Sequence, residues 1–403
     1  MGIYRTTRYP TQGQSPLVLI TGTKVKFDYI DSNQALETFC EQIKDCQYCA
    51  LDTEFIREKT YFPLLALIQL ATETHQACID PLVISDFSPL VRLFQNKNMV
   101  KILHAPGQDL ELFYQQFDAL PEPVFDTQLA AAVLGYANQI GYADLVNQFC
   151  KVQLEKKYTR ADWSKRPLSE GELDYAMDDV RYLIEIYHTM KTDLEKLGRW
   201  SWLQADLIKL SDKSLYELDI TKIWKRLKGL NRLKGAALNN ADQLARWREE
   251  KAIKSNRPRR WIVKDEDIID MARFKPKTHE DLNQIGKLGT EFVRKNGDAL
   301  IAVLQNAADM DSSEYPKLPD FNRLSSEQQA ISDCMMAICR VVTENNRIAL
   351  ASVTSKKEID ELVAGNRDSK ISKGWRYEML GKHLIQFLNG EVSLKCVDGK
   401  LEF

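Results

Sequence analysis

The sequence has no apolar run near the roughly 18 residues of a membrane span, and its start, MGIYRTTRYP, lacks the apolar centre of a signal peptide. We therefore expect a cytoplasmic protein without a membrane partner. Its eight cysteines are scattered over 403 residues, which excludes a dense disulfide framework and fits a reducing compartment. The single C-x-x-C pair, Cys46 and Cys49, has no second pair or histidine cluster nearby to complete a zinc site.

The net charge is small, but charge is unevenly distributed along the chain. The net charge is -2, yet residues 1–210 carry -7, residues 211–310 carry +6 and residues 311–403 carry -1. Within residues 221–260, 13 Lys or Arg accompany 3 Asp or Glu; Trp224 and Trp247 lie among them and Trp261 follows directly. Basic side chains beside aromatic rings are what a phosphate backbone with stackable bases requires. The alternative is a set of solvated helix faces with tryptophans in the core.

The first half of the chain alternates strand and helix patterns. We predict three strands in an antiparallel meander at CALDTEF, LLALIQLAT and QACIDPL. A fourth strand, VKILHA, precedes the helix PGQDLELFYQQF. A long helix spans SEGELDYAMDDVRYLIEIYHTMKTDLEKL and opens with Ser169 and Glu172 in the spacing of a capping box. The pattern predicts an α/β domain with a mixed sheet.

Acidic residues occur at three points of this pattern. Asp52 and Glu54 are two apart on a strand and point to the same side, and Asp109 lies in the first turn of the helix after VKILHA. Tyr175 and Asp179 are four apart on the long helix and share a face.

A cluster of carboxylates requires cations, because like charges at close range raise one another's pKa. Four carboxylates balance two divalent ions, and oxygen ligands favour Mg or Mn over zinc. Two such ions about 4 Å apart suit the hydrolysis of a phosphodiester. The spacing of these acids does not by itself establish that they converge.

Three segments, in order, resemble the motifs of the DEDD 3′-to-5′ exonucleases: LDTEF, HAPGQDLELF and YAMDDVRYL. The tyrosine four residues before the last aspartate resembles the tyrosine subclass of that family. The resemblance implies a ribonuclease H-like catalytic domain in which Asp52, Glu54, Asp109 and Asp179 bind the metals. It also implies that Tyr175 orients the attacking water.

Surrounding segments are similar to the ribonuclease D family, among them DTEFIREKTYFPLLALIQLA and TRADWSKRPL. The second half resembles helical HRDC modules, which bind nucleic acid. We therefore predict two all-α domains after the exonuclease domain, with these boundaries: residues 1–25, an N-terminal extension; 26–210, the exonuclease domain; 211–310, the first HRDC domain; 311–323, a linker; and 324–403, a second HRDC-like domain.

The resemblance implies a 3′-to-5′ exoribonuclease that releases nucleoside 5′-monophosphates and trims the 3′ ends of transfer RNA precursors and other stable RNAs. A DNA exonuclease of the same superfamily, a non-catalytic RNA-binding scaffold and a nuclear exosome-associated relative are the alternatives. No protein partner is indicated, and a monomer is left open. We expect a chain cut after about residue 210 to keep its chemistry but lose RNA affinity.

Further residues are predicted to contact RNA. Phe55 follows the acid pair and is either a core residue or a contact of the terminal base, while His104 and Gln108 belong to HAPGQD. His104 by itself is more typical of a hydrogen-bonded residue at the end of a strand than of a catalytic base. The predicted phosphate contacts of the basic segment are Lys225, Arg226, Lys228, Arg257, Arg259 and Arg260.

Overall fold

The computed structural model describes residues 26–155, 157–286, 288–318 and 324–403. The predicted N-terminal extension and residues 319–323 of the predicted linker lie outside these ranges. The described chain forms a six-stranded sheet with helices on both faces, followed by two helical regions. Within the described ranges, no helix is long and apolar enough to cross a membrane.

The sheet is mixed, as predicted. Its strands are β1 (Asp28–Ile30), β2 (Tyr48–Ile56), β3 (Leu64–Ala71), β4 (Gln76–Ile79), β5 (Val100–Leu103) and β6 (Val124–Asp126), in the order β1-β4-β3-β2-β5-β6. Strands β2, β3 and β4 form the predicted antiparallel meander, while β1, β5 and β6 pair with their neighbours in parallel. Strand β3 is nearly all apolar because both of its faces are covered.

Helices cover both faces of this sheet. They are α1 (Asn33–Ile43), α2 (Ser88–Gln95), α3 (Gly107–Phe117), α4 (Thr127–Leu134), α5 (Tyr142–Cys150), α6 (Glu170–Arg181), α7 (Leu183–Lys196) and α8 (Trp200–Leu210). Helices α1 to α3 bury apolar side chains in one core, and α4 to α8 bury theirs in the core on the opposite face.

The prediction of one long helix after Ser169 is wrong, because the chain forms α6 and α7 with a break at Tyr182. The backbone there, with φ of -100° and ψ of -8°, departs from the helical values and ends α6. Apolar periodicity continues through Tyr182, which is why the sequence does not reveal the break. The capping box of Ser169 and Glu172 is confirmed at the start of α6.

The first helical region has an apolar core of its own. It contains α9 (Ala236–Lys254), α10 (Arg259–Ile262), α11 (Asp265–Phe274), α12 (His279–Asn283) and α13 (Thr290–Asp309). Helix α9 lies at the centre and packs against α11 and α13. The buried side chains Leu238, Leu244, Ile268, Leu282 and Leu300 belong to a core that is separate from those of the sheet.

The second helical region shares its core with the sheet. It contains α14 (Ser326–Asn345), α15 (Leu350–Val353), α16 (Lys356–Val363), α17 (Gly374–Arg376), a π-helical turn (Tyr377–Gly381) and α18 (Lys382–Leu388). A short hairpin of β7 (Lys395–Val397) and β8 (Lys400–Glu402) follows the helices that we predicted. Met335, Ile338 and Leu380 are fully buried in the same cluster as Phe125 and Leu183 of the sheet region.

Polar and aromatic contacts reinforce this shared core. The rings of Trp202 and Trp375 stack 5.0 Å apart at 4°. The buried guanidinium of Arg199 donates to the carbonyl of Val133 at 2.9 Å and to that of Asn346 across the boundary. A chain cut after residue 210 would expose these surfaces, so the shared core argues against our expectation that such a fragment keeps its chemistry.

The first helical region is attached differently, through the loop between β2 and β3. The side-chain oxygen of Asn256 accepts hydrogen bonds from the amides of Tyr61 at 3.0 Å and Phe62 at 3.3 Å. The Tyr61 hydroxyl donates to the buried carboxylate of Glu249, which also pairs with Arg259 at 3.2 Å. This attachment is largely polar.

Candidate active site

Strand β2 carries the first two acids on the sheet face that α6 covers. Ala50 and Ile56 pack in the core on that face, and Asp52 and Glu54 alternate in step with them. Leu51 enters the core on the other face. The two acids therefore point to the same side, as predicted.

The pairing of β2 with β3 changes register beside the second acid. Glu54 lies opposite Leu67 and Phe55 lies opposite Leu65, so Ala66 of β3 is the extra residue of a β-bulge. A bulge increases the local twist and changes the direction of neighbouring side chains. The bulge thus sets the position of Glu54 at the end of the strand.

Asp109 reaches the site from the first turn of α3. The Thr53 hydroxyl, between the two acids of β2, donates a hydrogen bond to Asp109 Oδ1. Both side chains are buried. This contact ties the start of α3 to the end of β2, and Thr53 was not among the residues predicted from the sequence.

A tight turn directs the chain from β5 into α3. Ala105 has a φ of +53°, which is unusual for a residue with a Cβ atom. Its amide donates to the Asp126 carboxylate at 3.0 Å, and the same carboxylate caps α4 by accepting from the Gln128 amide at 2.7 Å. Buried Asp126 therefore holds the turn that places Asp109.

Helix α6 supplies the last acid and the tyrosine. It crosses β2, β3 and β4, so Asp179 and Tyr175 come close to the acids of β2. The adjacent acids Asp174 and Asp178 are instead paired with Arg181, the first at 2.7 Å. These ion pairs distinguish them from Asp179.

Aromatic rings surround the tyrosine. The ring of Trp163 lies nearly parallel to that of Tyr175, 6.4 Å away at 24°, and the ring of Tyr158 meets it edge-on at 6.0 Å. The hydroxyls of Tyr175 and Thr159 are 3.3 Å apart. The loop between α5 and α6 thus restrains the orientation of Tyr175.

Burial raises the pKa of all four acids, and the charges of neighbouring acids add to the effect. Burial, followed by the charges of Asp109, Asp179 and Glu54, raises the pKa of Asp52 well above its usual value. Burial and the charges of Asp179 and Asp109 raise the pKa of Glu54 to about 8. Burial raises the pKa of Asp109 to about 6, and burial together with the charges of Asp178 and Asp109 raises that of Asp179 to about 7.

This donor set fits divalent cations in its chemistry. Four carboxylates whose ionised forms repel one another gain from a bound ion of opposite charge, and oxygen ligands suit Mg or Mn. Within the described ranges, no three His, Cys, Asp or Glu side chains are already grouped closely enough to coordinate an ion. The assignment of Asp52, Glu54, Asp109 and Asp179 as metal ligands therefore stays a prediction.

The predicted contacts of the terminal nucleotide differ in their surroundings. Phe55 is partly buried and packs against the core opposite the acids, and Gln108 is exposed on the first turn of α3. His104 Nε2 donates to the Ile140 carbonyl at 3.0 Å and its Nδ1 lies 2.9 Å from the Thr127 hydroxyl. Burial lowers the pKa of His104 to about 4, which fits a neutral structural residue.

The predicted phosphate contacts fall into two groups. Lys225, Arg226, Lys228 and Arg257 are exposed and form no ion pair within the described ranges. Arg259 pairs with Glu249 and lies over the ring of Tyr61 at 6.0 Å, and Arg260 lies 3.6 Å from Glu266. Arg259 thus serves the contact between the first helical region and the loop after β2.

The tryptophans of the basic segment also differ. Trp224 is buried in the core of the first helical region and Trp247 is partly buried against it, so both fit the alternative interpretation as core residues. Trp261 is 62% exposed. It lines a groove of about 440 Å³ together with Lys251, Arg257, Phe292 and Lys295, and Glu291, which also lines the groove, pairs with Lys295 at 2.7 Å. Sequence reasoning named Arg257 but missed Phe292 and Lys295 because they lie outside the segment of highest positive charge.

Comparison with known proteins agrees with this arrangement. The family model for the 3′-5′ exonuclease domain matches residues 27–195, and the model for the HRDC domain matches residues 237–304. The fold and the site together define a 3′-5′ exonuclease with an appended HRDC domain.

Relatives that match over nearly their whole length identify the family within this class of exonuclease. The chain is 36% identical to ribonuclease D of Sphingobium indicum, over 93% of this chain and 97% of the relative, and 36% identical to that of Jannaschia sp., over 93% and 98%. The crystal structure of Escherichia coli RNase D, an exoribonuclease involved in structured RNA processing, matches 92% of this chain and 100% of that chain with a TM-score of 0.81 at 28% identity. The chain belongs to the ribonuclease D family and is a 3′-5′ exoribonuclease.

Proposed function

We propose that the protein removes nucleotides one at a time from RNA 3′ ends as nucleoside 5′-monophosphates, with two divalent ions, Mg or Mn, held by Asp52, Glu54, Asp109 and Asp179. The observation that carries this proposal is the meeting of carboxylates from β2, α3 and α6, in which Thr53 of β2 contacts Asp109 and the charges of Asp109 and Asp179 act on Asp52 and Glu54. Such an arrangement is unfavourable for an empty acidic cluster and favourable for one that binds cations.

The reaction breaks the bond between phosphorus and the 3′ oxygen of the penultimate nucleotide. The oxygen of a water molecule bonds to that phosphorus, and the remaining chain takes up a proton at its 3′ oxygen. When bound, the two ions supply the charge that activates the water and stabilises the leaving oxygen. The residues of this chain hold and orient the reactants.

Tyr175 has the role of orienting the water. Its hydroxyl is held by Thr159 and its ring by Trp163 and Tyr158, so little rotational freedom remains to be removed on reaction. Burial is the main cause that raises the pKa of Tyr175, which keeps the hydroxyl protonated and able to donate a hydrogen bond.

The groove beside Trp261 provides a path for the RNA that precedes the 3′ end. Asn256, next to groove residue Arg257, accepts hydrogen bonds from the loop after β2, so this part of the first helical region contacts the loop that follows the acids in the chain. An exposed ring with the basic side chains of Lys251 and Arg257 in the same groove suits a base stacked beside its phosphates. Lys225, Arg226 and Lys228 are further exposed cations of the basic segment.

The cellular part of the proposal is trimming of the 3′ ends of transfer RNA precursors and other stable RNAs in the cytoplasm. It is supported by the similarity to an exoribonuclease involved in structured RNA processing. All eight cysteines are free, which agrees with a reducing compartment. The protein is proposed to act as a monomer, since the acids, the tyrosine and the groove all come from one chain.

The test uses end-labelled RNA and DNA of matched sequence with Mg, Mn or a chelator. We expect stepwise shortening of RNA and release of 5′-monophosphates with either metal and none with excess chelator. Full activity in the chelator would exclude the metal mechanism. Faster degradation of DNA than of RNA would favour a DNA exonuclease of the same superfamily.

Two substitutions assign the roles. Asp52→Asn should bring hydrolysis close to background, and Tyr175→Phe should lower kcat by about 10- to 1000-fold with little change in RNA affinity. Glu58→Gln is the matched control, because Glu58 is an exposed acid of the loop after β2. An unchanged kcat for Tyr175→Phe would show that the hydroxyl does not orient the water.

A further inference from the structure

Arg166, in the loop between α5 and α6, uses its guanidinium to join three parts of the fold. Nε and Nη2 donate to the two oxygens of buried Asp80 at 2.5 and 2.7 Å. Nη1 donates to the carbonyls of Trp163 and Lys165, both at 2.8 Å, and Nη2 donates to the carbonyl of Ala66 at 2.6 Å. The side chain is 23% exposed, so these contacts are mostly shielded from water.

One of these contacts lies beside Glu54. Ala66 is the extra residue of the bulge, where the partner of β2 shifts from Leu67 opposite Glu54 to Leu65 opposite Phe55. Because Ala66 is fully buried, its carbonyl benefits from a charged donor. Arg166 therefore fixes the irregular part of β3 against which Glu54 is placed.

Another contact lies beside Tyr175. The backbone of Trp163 is held by Arg166, and its buried ring lies nearly parallel to the ring of Tyr175. Tyr158, in the same loop, touches Tyr175 from another side, and Thr159 lies at its hydroxyl. The loop that Arg166 anchors is thus the loop that restrains the tyrosine.

A single guanidinium therefore connects the support of Glu54 with the support of Tyr175. We propose that Arg166 is a positioning residue of the nuclease, which sets the place of the Tyr175 hydroxyl relative to Glu54. The inference rests on the proposed role of Tyr175. A lysine cannot replace it, because one ammonium group lacks the fork of donors that reaches Asp80, Ala66 and Trp163 together.

The simpler explanation is an ion pair that only stabilises the fold. Asp80 also accepts a hydrogen bond from the Tyr29 hydroxyl at 2.5 Å, and this bond ties β1 to the end of β4. On this explanation, changes at Arg166 alter the melting temperature and leave kcat of the folded enzyme unchanged. The two explanations differ in kinetics.

The experiment is a double-substitution cycle of Arg166→Lys and Tyr175→Phe, with kcat and KM measured on RNA for each variant that has a cooperative melting transition. We expect Arg166→Lys to lower kcat by about 10- to 100-fold with KM changed less than about threefold, since a misplacement near 1 Å costs about that much. In the Arg166→Lys protein, Tyr175→Phe should lower kcat by less than about a further threefold, because the hydroxyl is already misplaced. Arg166→Ala should behave in the same way and melt at a lower temperature.

The matched control is Arg92→Lys. Arg92 also makes two hydrogen bonds to one carboxylate, that of Glu37 at 2.8 and 2.9 Å, but it is exposed on α2, which packs on the sheet face opposite α6. The kcat of the Arg92→Lys protein should equal that of the unmodified protein. The inference about Arg166 would be overturned by an unchanged kcat for Arg166→Lys. It would also be overturned if Tyr175→Phe lowered kcat as much in the Arg166→Lys protein as in the unmodified protein. Either result would leave the proposed role of Tyr175 intact. No effect of Tyr175→Phe in the otherwise unmodified protein would overturn the inference together with the proposed role of the tyrosine.

Discussion

The two helical regions that follow the nuclease domain are joined to it in different ways. The first has its own apolar core and meets the nuclease through the polar contacts of Tyr61, Glu249 and Asn256. The second contributes Met335, Ile338 and other side chains to the core beneath the catalytic sheet. The first therefore resembles a separate module used for binding, whereas the second is part of the structure that supports catalysis.

This difference shows that a similar sequence pattern can serve two purposes. Both regions consist of amphipathic helices, and both were predicted to be HRDC-like domains. The periodicity of a helix indicates that one side is covered but not which surface covers it. Only the partners of the apolar side chains distinguish a module from a layer of the catalytic domain.

The largest effect is expected from removing the second region. A chain ending at residue 310 would expose the apolar surface that now contacts Met335, Ile338 and Leu380, so it should aggregate or lack a cooperative transition and show no nuclease activity. Circular dichroism in the near ultraviolet and thermal unfolding test this. A soluble, cooperatively folded and active fragment would contradict the shared core.

A smaller but still large effect is expected from pH. The pKa values of Glu54, Asp109 and Asp179 are raised to about 8, 6 and 7, so the fold favours their protonated forms. The metal-free protein should lose stability as pH rises from about 4, where these groups titrate in the unfolded chain, through 8. We expect the melting temperature of the metal-free protein to be several degrees lower at pH 8 than at pH 5.5. Added Mn should raise the melting temperature more at pH 8 than at pH 5.5.

The same experiment separates the two regions. Hydrogen exchange followed by peptide should show faster exchange at pH 8, after correction for the intrinsic rate, in α6, α7 and α14, which surround the shared core. Peptides of α9 and α13 should change less, because they belong to the other core. Asp52→Asn should reduce the pH dependence of the melting temperature. Equal changes in exchange rate in the peptides of both cores would contradict the independence of the two cores.

The smallest effect on the nuclease itself is expected from the first region. Reversing the charges of Lys225, Arg226, Lys228 and Arg257 should weaken RNA binding and lower the slope of affinity against salt by about 0.7 for each phosphate that the variant no longer neutralises. The value of kcat at saturating RNA and the melting temperature should change little. Reversal of Lys395 and Lys400, exposed on the β7–β8 hairpin, is the control. Unchanged RNA affinity at every salt concentration would exclude the basic surface as an RNA contact.

The sequence revealed those parts of the site that depend on local spacing. Alternation on β2 places Asp52 and Glu54 on one side, and helical spacing places Tyr175 with Asp179, so these relations follow from the chain over a few residues. The antiparallel meander followed from short connections between apolar strands. The family resemblance added the expectation that the acids meet.

Other parts depend on contacts between distant residues and could not be read in this way. Thr53 holds an acid 56 positions away, and Arg166 reaches Ala66 across 100 positions. Arg259 was predicted to be a phosphate contact because the sequence does not show that Glu249 of α9 is buried and pairs with it. A charge count cannot distinguish a basic residue that has an internal partner from one that faces solvent.

The shared core also bears on how the protein is made. During translation the catalytic sheet is complete at Asp126, well before residue 324, where the second helical region begins. At roughly 5 to 20 residues per second, synthesis of the chain between these two points takes about 10 to 40 seconds. Throughout that time the surface that later covers Met335 and Ile338 stays open on the ribosome. Nuclease activity would then arise only once the second helical region has been synthesised, so a nascent chain would not degrade the RNAs around the ribosome that is producing it.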